Sequence, residues 1–170
     1  EALQEYLKTV DCRLQTVLDM GTGSGILAIA AAKAGCSVTA ADVNPDAIKL
    51  AKKNAENENV AIKFIESDLF SNIKGRFDLI LFNPPYVRTE DSETRDMQSV
   101  AWQGGEDGMA VINRFLSAVR SFLKPGGRIL LLVSSTEDKA PKLIGFKAKI
   151  LKKKSYFFER LFVFELSLGG

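Results

Sequence analysis

The chain has 170 residues, 46% hydrophobic and 26% charged, which suits one globular domain with its own core. A net charge of +2 gives no average pull on a polyanion, and no apolar run is long enough to span a bilayer or stands behind the charged start of a signal peptide. With no histidine, Ser-His-Asp hydrolysis and histidine-metal catalysis are excluded within these residues, so chemistry must come from carboxylates, amides, hydroxyls, Lys or a cofactor.

Cys12 and Cys36 match no metal-ligand spacing and read as reduced thiols of a cytoplasmic protein, with no metal site expected. The chain opens on Glu1 rather than Met, partway through a helix, which suggests an upstream segment. Residues 15–20 then predict a strand, and glycines lead into an apolar helix from about Ile26 to Ala34. Ser37 to Asp42 is a second strand. Asn44-Pro45 starts a helix, with Asn as N-cap and Pro at the first helical position, and Ile48, Ala51 and Ala55 share its buried face. Val60 to Ile65 and Phe77 to Phe82 are strands three and four. Residues 88–107 read as a long polar loop. Met109 to Leu123 is a helix whose buried stripe is Ile112, Phe115, Leu116, Val119 and Phe122. Pro125-Gly126-Gly127 is a turn before a fifth strand, Arg128 to Val133. Thr136 to Ile144 suits a short helix, and Lys147 to Lys154 and Phe157 to Leu166 two final strands.

Strands alternating with helices predict an α/β fold with a mostly parallel sheet. The last two strands are too close for a crossover helix, so a C-terminal hairpin must bring in an antiparallel strand. One domain, residues 1–170, is expected.

In "LDMGTGSG", residues 18–25, Gly21, Gly23 and Gly25 allow positive φ and close approach of a ligand to backbone. The spacing is G-x-G-x-G, whereas a dinucleotide fingerprint wants glycine where Ile26 stands. Asp19 just before the loop repels a pyrophosphate and welcomes an ammonium group. Asp42 ends the second strand about twenty residues after Gly21, where a ribose-binding carboxylate belongs in a doubly wound fold. Asp68 follows the third strand, where a purine amine could be read. Each feature alone is common; three in order at successive strand ends are hard to assign to accident.

With these motifs the chain resembles the S-adenosylmethionine-dependent methyltransferases of the Rossmann-like class I fold, over nearly all its length. The resemblance implies a seven-stranded sheet and S-adenosylmethionine as cofactor, with S-adenosylhomocysteine as product. It implies Asp19 on the methionine ammonium group, directly or through water, beside the loop of Gly21, Thr22, Gly23 and Gly25. It implies Asp42 and Val43 at the ribose, Asp68 and Leu69 near the adenine, and Asn83 facing the methyl group.

The fourth strand stops abruptly at Asn83-Pro84-Pro85-Tyr86. The prolines fix φ and have no N–H to satisfy, so they hold a stiff backbone whose Pro84 carbonyl can point into a pocket. With Asn83 Oδ1 this makes two acceptors for both hydrogens of an –NH₂ group, and Tyr86 can stack on a planar π-system. Asn83, Pro84 and Tyr86 are therefore the expected catalytic residues, and Asn83, Pro84, Pro85 and Tyr86 the expected acceptor site. The acceptor is a planar, weakly basic amine: an amide or a nucleobase.

Residues 101–116, with Trp102, Gly104, Gly105 and Gly108, are similar to the Gly-Gly-x-x-Gly stretch of the HemK-like family, which methylates the glutamine of a Gly-Gly-Gln loop in peptide release factors. Trp102 and the compact size are most similar to its archaeal and eukaryotic branch. The chain has no room for the helical N-terminal domain of the bacterial branch, and the Tyr-x-Pro-x-x-Asp-like element usual in the other branch is absent. For that branch the resemblance implies a small zinc-binding activator protein as partner, and "NVAIKF" at the third strand offers an edge for pairing. Lys147, Lys149, Lys152, Lys153 and Lys154 form a basic run that suits a solvated strand face or attraction to RNA. The second enzyme reading is therefore methylation of the exocyclic amine of adenine in RNA or DNA, and a third is a non-catalytic cofactor-binding module.

Overall fold

Seven strands line up into one sheet. The structure, a computed structural model, describes residues 2–9, 11–12, 15–84, 110–135, 143–157 and 160–169. In chain order the elements are α1 (Ala2–Leu7), β1 (Thr16–Met20), α2 (Ile26–Lys33), β2 (Ser37–Asp42), α3 (Pro45–Asn57), β3 (Lys63–Glu66), β4 (Phe77–Phe82), α4 (Ala110–Ala118), a 3₁₀ turn (Val119–Phe122), β5 (Leu123–Ser135), β6 (Phe146–Ser155) and β7 (Arg160–Leu168).

The sheet order is β3-β2-β1-β4-β5-β7-β6. β1 to β5 pair in parallel, and β7 is antiparallel to both β5 and β6, as the close spacing of the last two strands requires. The chain steps outward from β1 to β3, then returns to place β4 on the other side of β1. That reversal leaves a crevice at the carboxyl ends of β1 and β4, where such sheets take ligands.

Each face of the sheet carries its own core. On one, Ile112, Phe115 and Val119 pack over Leu18, Ile80, Phe82 and Ile129; on the other, Leu3, Leu7, Ala28 and Ala31 pack over Val17, Leu79 and Leu130. The Phe82 and Phe115 rings stack with centroids 4.2 Å apart, which fixes α4 over the end of β4. Such a pair contributes about 0.5–1.5 kcal/mol beyond its buried area. At the opposite edge Asp78 accepts from the Thr16 backbone N–H (2.8 Å), Thr16 Oγ1 (2.7 Å) and Lys124 Nζ (2.8 Å), tying β1, β4 and β5 together. Burial pushes the Asp78 carboxyl up, but the bonds from Lys124 and Thr16 outweigh it and leave its pKa below the ordinary value.

Asn44 caps α3 as expected, its side chain accepting from the Asp46 N–H at 2.9 Å with Pro45 next in line. Several boundaries differ from the pattern, and the last strand runs Arg160–Leu168 rather than Phe157–Leu166 because Ser155 pairs with Arg160 to close the hairpin. The third strand starts at Lys63 rather than Val60, because Val60 N–H still bonds Ala55 O and Asn59 takes a left-handed φ of 54° to close α3. The helix expected to reach Leu123 ends at Ala118 and tightens into the 3₁₀ turn, since Leu123 already pairs with Phe77. Pro125-Gly126-Gly127 is consequently an irregularity inside β5: the register jumps from Phe77↔Leu123 to Leu79↔Arg128, with Gly126 at φ 77°. The expected loop at 88–107 lies outside the described residues, as does the expected helix from Thr136 except at its last two positions.

Candidate functional site

The carboxyl ends of β1, β2 and β4 open into one cavity of about 690 Å³. It runs from Asp19 and the glycine loop, past Asp42, Val43, Asp68 and Leu69, to Asn83 and Pro84. Every predicted cofactor residue borders it except Gly25. Gly25 instead faces α3: a Cβ there would sit 3.0 Å from Ala51 Cβ and 3.3 Å from Ala51 Cα, and its φ is +82°. The absence of a side chain there lets the loop and α3 touch. Gly23, at φ +54°, has nothing within 4 Å of an added Cβ. The backbone there faces open space, as a ligand-cradling glycine should.

Asp19 lies at the base, 1% exposed, and its Oδ2 accepts from Thr22 Oγ1 at 2.6 Å and from the Ala28 N–H at 3.0 Å. Burial drives its carboxyl up to about 6; the Thr22 and Ala28 bonds pull the other way, and the Asp42 charge adds a smaller push upward. A buried carboxylate held above its ordinary range favours a cation beside it, because the cation offsets the desolvation of the charged form. Asp42, half-buried, holds the loop from the second strand: Oδ2 accepts from the Gly23 N–H and Oδ1 from the Asn44 N–H, both at 2.9 Å. Each oxygen keeps a lone pair for a hydroxyl. The Thr22 N–H to Ala41 O bond at 2.9 Å completes the clamp between loop and β2.

On the third side Ser67, 2% exposed, organises a tight turn. Its hydroxyl donates to Leu69 O at 2.7 Å and accepts from Asn72 N–H at 3.0 Å, while Leu69 takes a φ of 47°. A non-glycine residue in the left-handed region persists only where its surroundings hold it, and such residues gather at ligand sites. Asp68 is exposed and paired with Arg114 of α4, Nη2 to Oδ2 at 2.8 Å. Arg114 also borders the cavity. Nothing local in the sequence announced either helper. Arg114 sits 46 positions from Asp68, and Ser67 differs from an ordinary turn serine only by its burial.

Asn83 is exposed at the cavity wall and Pro84 is buried behind it. Pro85 and Tyr86 lie outside the described residues, as do Trp102, Gly104, Gly105 and Gly108. Among the described residues no cluster of Cys, Asp and Glu could hold a metal ion, and no helix is long and apolar enough to cross a membrane.

The donor set fits a small ligand with an ammonium end and vicinal hydroxyls: a buried acid below, a clamped acid at the second strand, open backbone at Gly23 and a third acid at the rim. Comparison with known proteins agrees. The methyltransferase small domain model matches residues 1–156. A Methanocaldococcus jannaschii protein provisionally named as a protein N5-glutamine methyltransferase is 44% identical over 161 residues, covering 91% of this chain and 82% of its own length. The release factor glutamine methyltransferase of Streptococcus pneumoniae is 40% identical over 140 residues, covering 77% of this chain and 50% of the relative. The chain thus spans about half the length of the release-factor enzymes it matches. Among solved structures, the E. cuniculi Mtq2–Trm112 complex, responsible for methylation of the eRF1 translation termination factor, superposes with a TM-score of 0.69 at 24% identity, over 98% of this chain and 93% of that one. At that identity the likeness is one of fold, that of the class I methyltransferases.

Proposed function

The chain belongs to the methyltransferase small domain family, and from that premise we propose that it transfers a methyl group from S-adenosylmethionine to the side-chain amide nitrogen of a protein glutamine, in the Gly-Gly-Gln loop of a peptide release factor. The observation that carries the reading is the continuity of one cavity from buried Asp19 to Asn83 and Pro84, so that a cofactor anchored at one end presents its reactive end to the acceptor at the other. The names of the most similar relatives support a glutamine as acceptor.

The cofactor supplies an electrophilic methyl carbon on a sulfonium. Asp19 holds the ammonium end, Asp42 the ribose hydroxyls and Asp68 with Leu69 the adenine edge. Asn83 Oδ1 and the Pro84 carbonyl would accept the two amide hydrogens and aim the nitrogen, and Tyr86 is the residue expected to stack on the amide plane. A nitrogen–carbon bond forms, the sulfur–carbon bond breaks, and one N–H proton leaves to water, giving S-adenosylhomocysteine and N-methylglutamine. The two acceptors work on charge that grows on the nitrogen, each contributing roughly 1.5–3 kcal/mol, and fixed orientation contributes up to about 7–11 kcal/mol.

The reading includes a cytoplasmic setting and a small zinc-binding activator protein. Among the described residues β3 is an edge strand of the sheet, suited to strand addition, and the E. cuniculi neighbour is itself a two-protein complex. The test is incubation with methyl-labelled S-adenosylmethionine and either a release factor or RNA. Label on the Gly-Gly-Gln glutamine by peptide mass spectrometry is the expected result. Label on adenine in the RNA, with none on the release factor, would replace this reading with nucleic-acid methylation.

A further inference from the structure

A glutamine amide is uncharged and present in almost every protein. Contacts at the amide alone cannot pick one glutamine from many, so selection has to come from contacts remote from it. Among the described residues one element beside the cavity mouth suits that task.

β6 runs parallel to β4, since β5 is parallel to β4, β7 reverses against β5 and β6 reverses again against β7. Across the sheet, Phe82 is level with Leu131, Leu131 with Phe164, and Phe164 with Ile150. Three strand spacings of about 4.8 Å place β6 roughly 14 Å to the side of β4. Asn83 follows Phe82, so the residues from Lys152 onward pass its level. At about 3.3 Å per residue Ser155, the last residue of β6, stands roughly 10 Å past the level of Asn83 along the strand.

That projecting end is basic and aromatic. Lys153 and Lys154 are exposed, while Tyr156 is 48% and Phe157 88% exposed. Further back, Lys147 and Lys149 are exposed too, and Glu165 is the one acid among the described residues of both strands. Lysines on an edge strand guard against unwanted strand pairing. Two exposed aromatic side chains stand near the tip, Tyr156 with Lys154 Nζ 5.6 Å from its ring centre, and exposed aromatics of this kind are the usual anchors of protein interfaces.

We propose that the β6–β7 hairpin docks the acceptor protein, with Tyr156 and Phe157 entering an apolar pocket within an acidic surface and the lysines steering the encounter. The inference rests on the reading of the acceptor as a protein glutamine. The lysines raise the association rate by long-range attraction and the rings hold the complex together.

The test compares methyl transfer to a whole release factor and to a short peptide carrying Gly-Gly-Gln. Tyr156→Ala/Phe157→Ala should raise KM for the whole protein about tenfold and leave kcat at saturation, peptide methylation and cofactor affinity unchanged. Lys153→Gln/Lys154→Gln keeps the aliphatic stem over Phe162, whose ring centre lies 5.5 Å from Lys153 Nζ. This pair should raise KM several-fold at low salt and flatten its salt dependence. Parent protein that methylates neither acceptor sinks the glutamine reading and this inference together. Parent protein that methylates both, with hairpin variants of unchanged KM, sinks the hairpin alone. Binding of labelled single-stranded RNA that the hairpin variants lose, with KM for the release factor unchanged, would make the tip a nucleic-acid surface and overturn the proposal.

Discussion

Cofactor binding should carry the titration of Asp19. The carboxyl is fully buried and titrates at about 6, against 3.8 for the unperturbed group, burial being the main cause. Its folded pKa is raised, so this group favours the fold below about pH 3.8 and opposes it increasingly as pH rises through about 6. Ionised at pH 7, it costs the free protein roughly 3 kcal/mol, about two units at 1.36 kcal/mol each. An ammonium group placed beside it removes much of that cost and lowers its pKa again. Affinity then falls by about tenfold between pH 7 and pH 5, some 1.4 kcal/mol, as the free protein takes up the proton that the ligand must displace. Calorimetry with S-adenosylhomocysteine, which keeps the amino-acid end, should show that loss and a net release of protons at pH 5. Repeating it in buffers of different ionisation enthalpy counts the protons. Asp19→Asn keeps the shape beside Thr22, and should bind more weakly at pH 7 and lose the pH slope. A parent protein with flat affinity from pH 7 to 5, or an Asp19→Asn variant with the parent's slope, refutes the contact between Asp19 and the cofactor's ammonium.

Asn83→Ala should leave cofactor affinity intact and lower the single-turnover transfer rate by about 10²–10³, the cost of one donor–acceptor contact to developing charge; near-parent transfer would make Asn83 scaffold. Asn83→Asp should also be slow, because its negative charge favours the sulfonium ground state over a transition state whose charge is dispersing. Asp42→Ala should weaken cofactor binding by about 1.5–3 kcal/mol for the lost charged acceptor, and somewhat more because Gly23 N–H and Asn44 N–H lose their tether; unchanged affinity by calorimetry removes Asp42 from the site. The glycines separate stability from binding. Gly25→Ala meets Ala51 at 3.0 Å in a left-handed backbone and should cost about 2–4 kcal/mol of stability. Gly23→Val puts its Cβ where no protein atom lies within 4 Å, so it should lose cofactor binding and carry, against folding, only the strain of a β-branched residue at φ +54° without the Ala51 clash; thermal melts and cofactor titration of both variants decide, and normal binding by Gly23→Val would make the loop an ordinary turn.

Much of this protein is local information. Alternation of strand and helix patterns, the Asn44-Pro45 start and the short link between the last strands determined seven strands, their mostly parallel arrangement and the antiparallel end. The same pattern put Asp19, Asp42 and Asn83 at strand ends, because a strand's carboxyl terminus is marked by the turn that follows it. What no stretch of sequence held was partnership. Asp19 acquires its raised pKa only when the folded core excludes water from it, against the downward pull of the Thr22 and Ala28 bonds. Gly25 proved to be a contact with Ala51, and a positive φ serves a ligand or a packed helix equally well until the neighbour is known. The pairing of Leu123 with Phe77 ended a helix that its own periodicity would have continued, because a ladder with a distant strand outweighed local propensity. Arg114 reaches Asp68 only once α4 has crossed the sheet on the Phe82–Phe115 stack, so that part of the cavity wall exists in the tertiary structure alone.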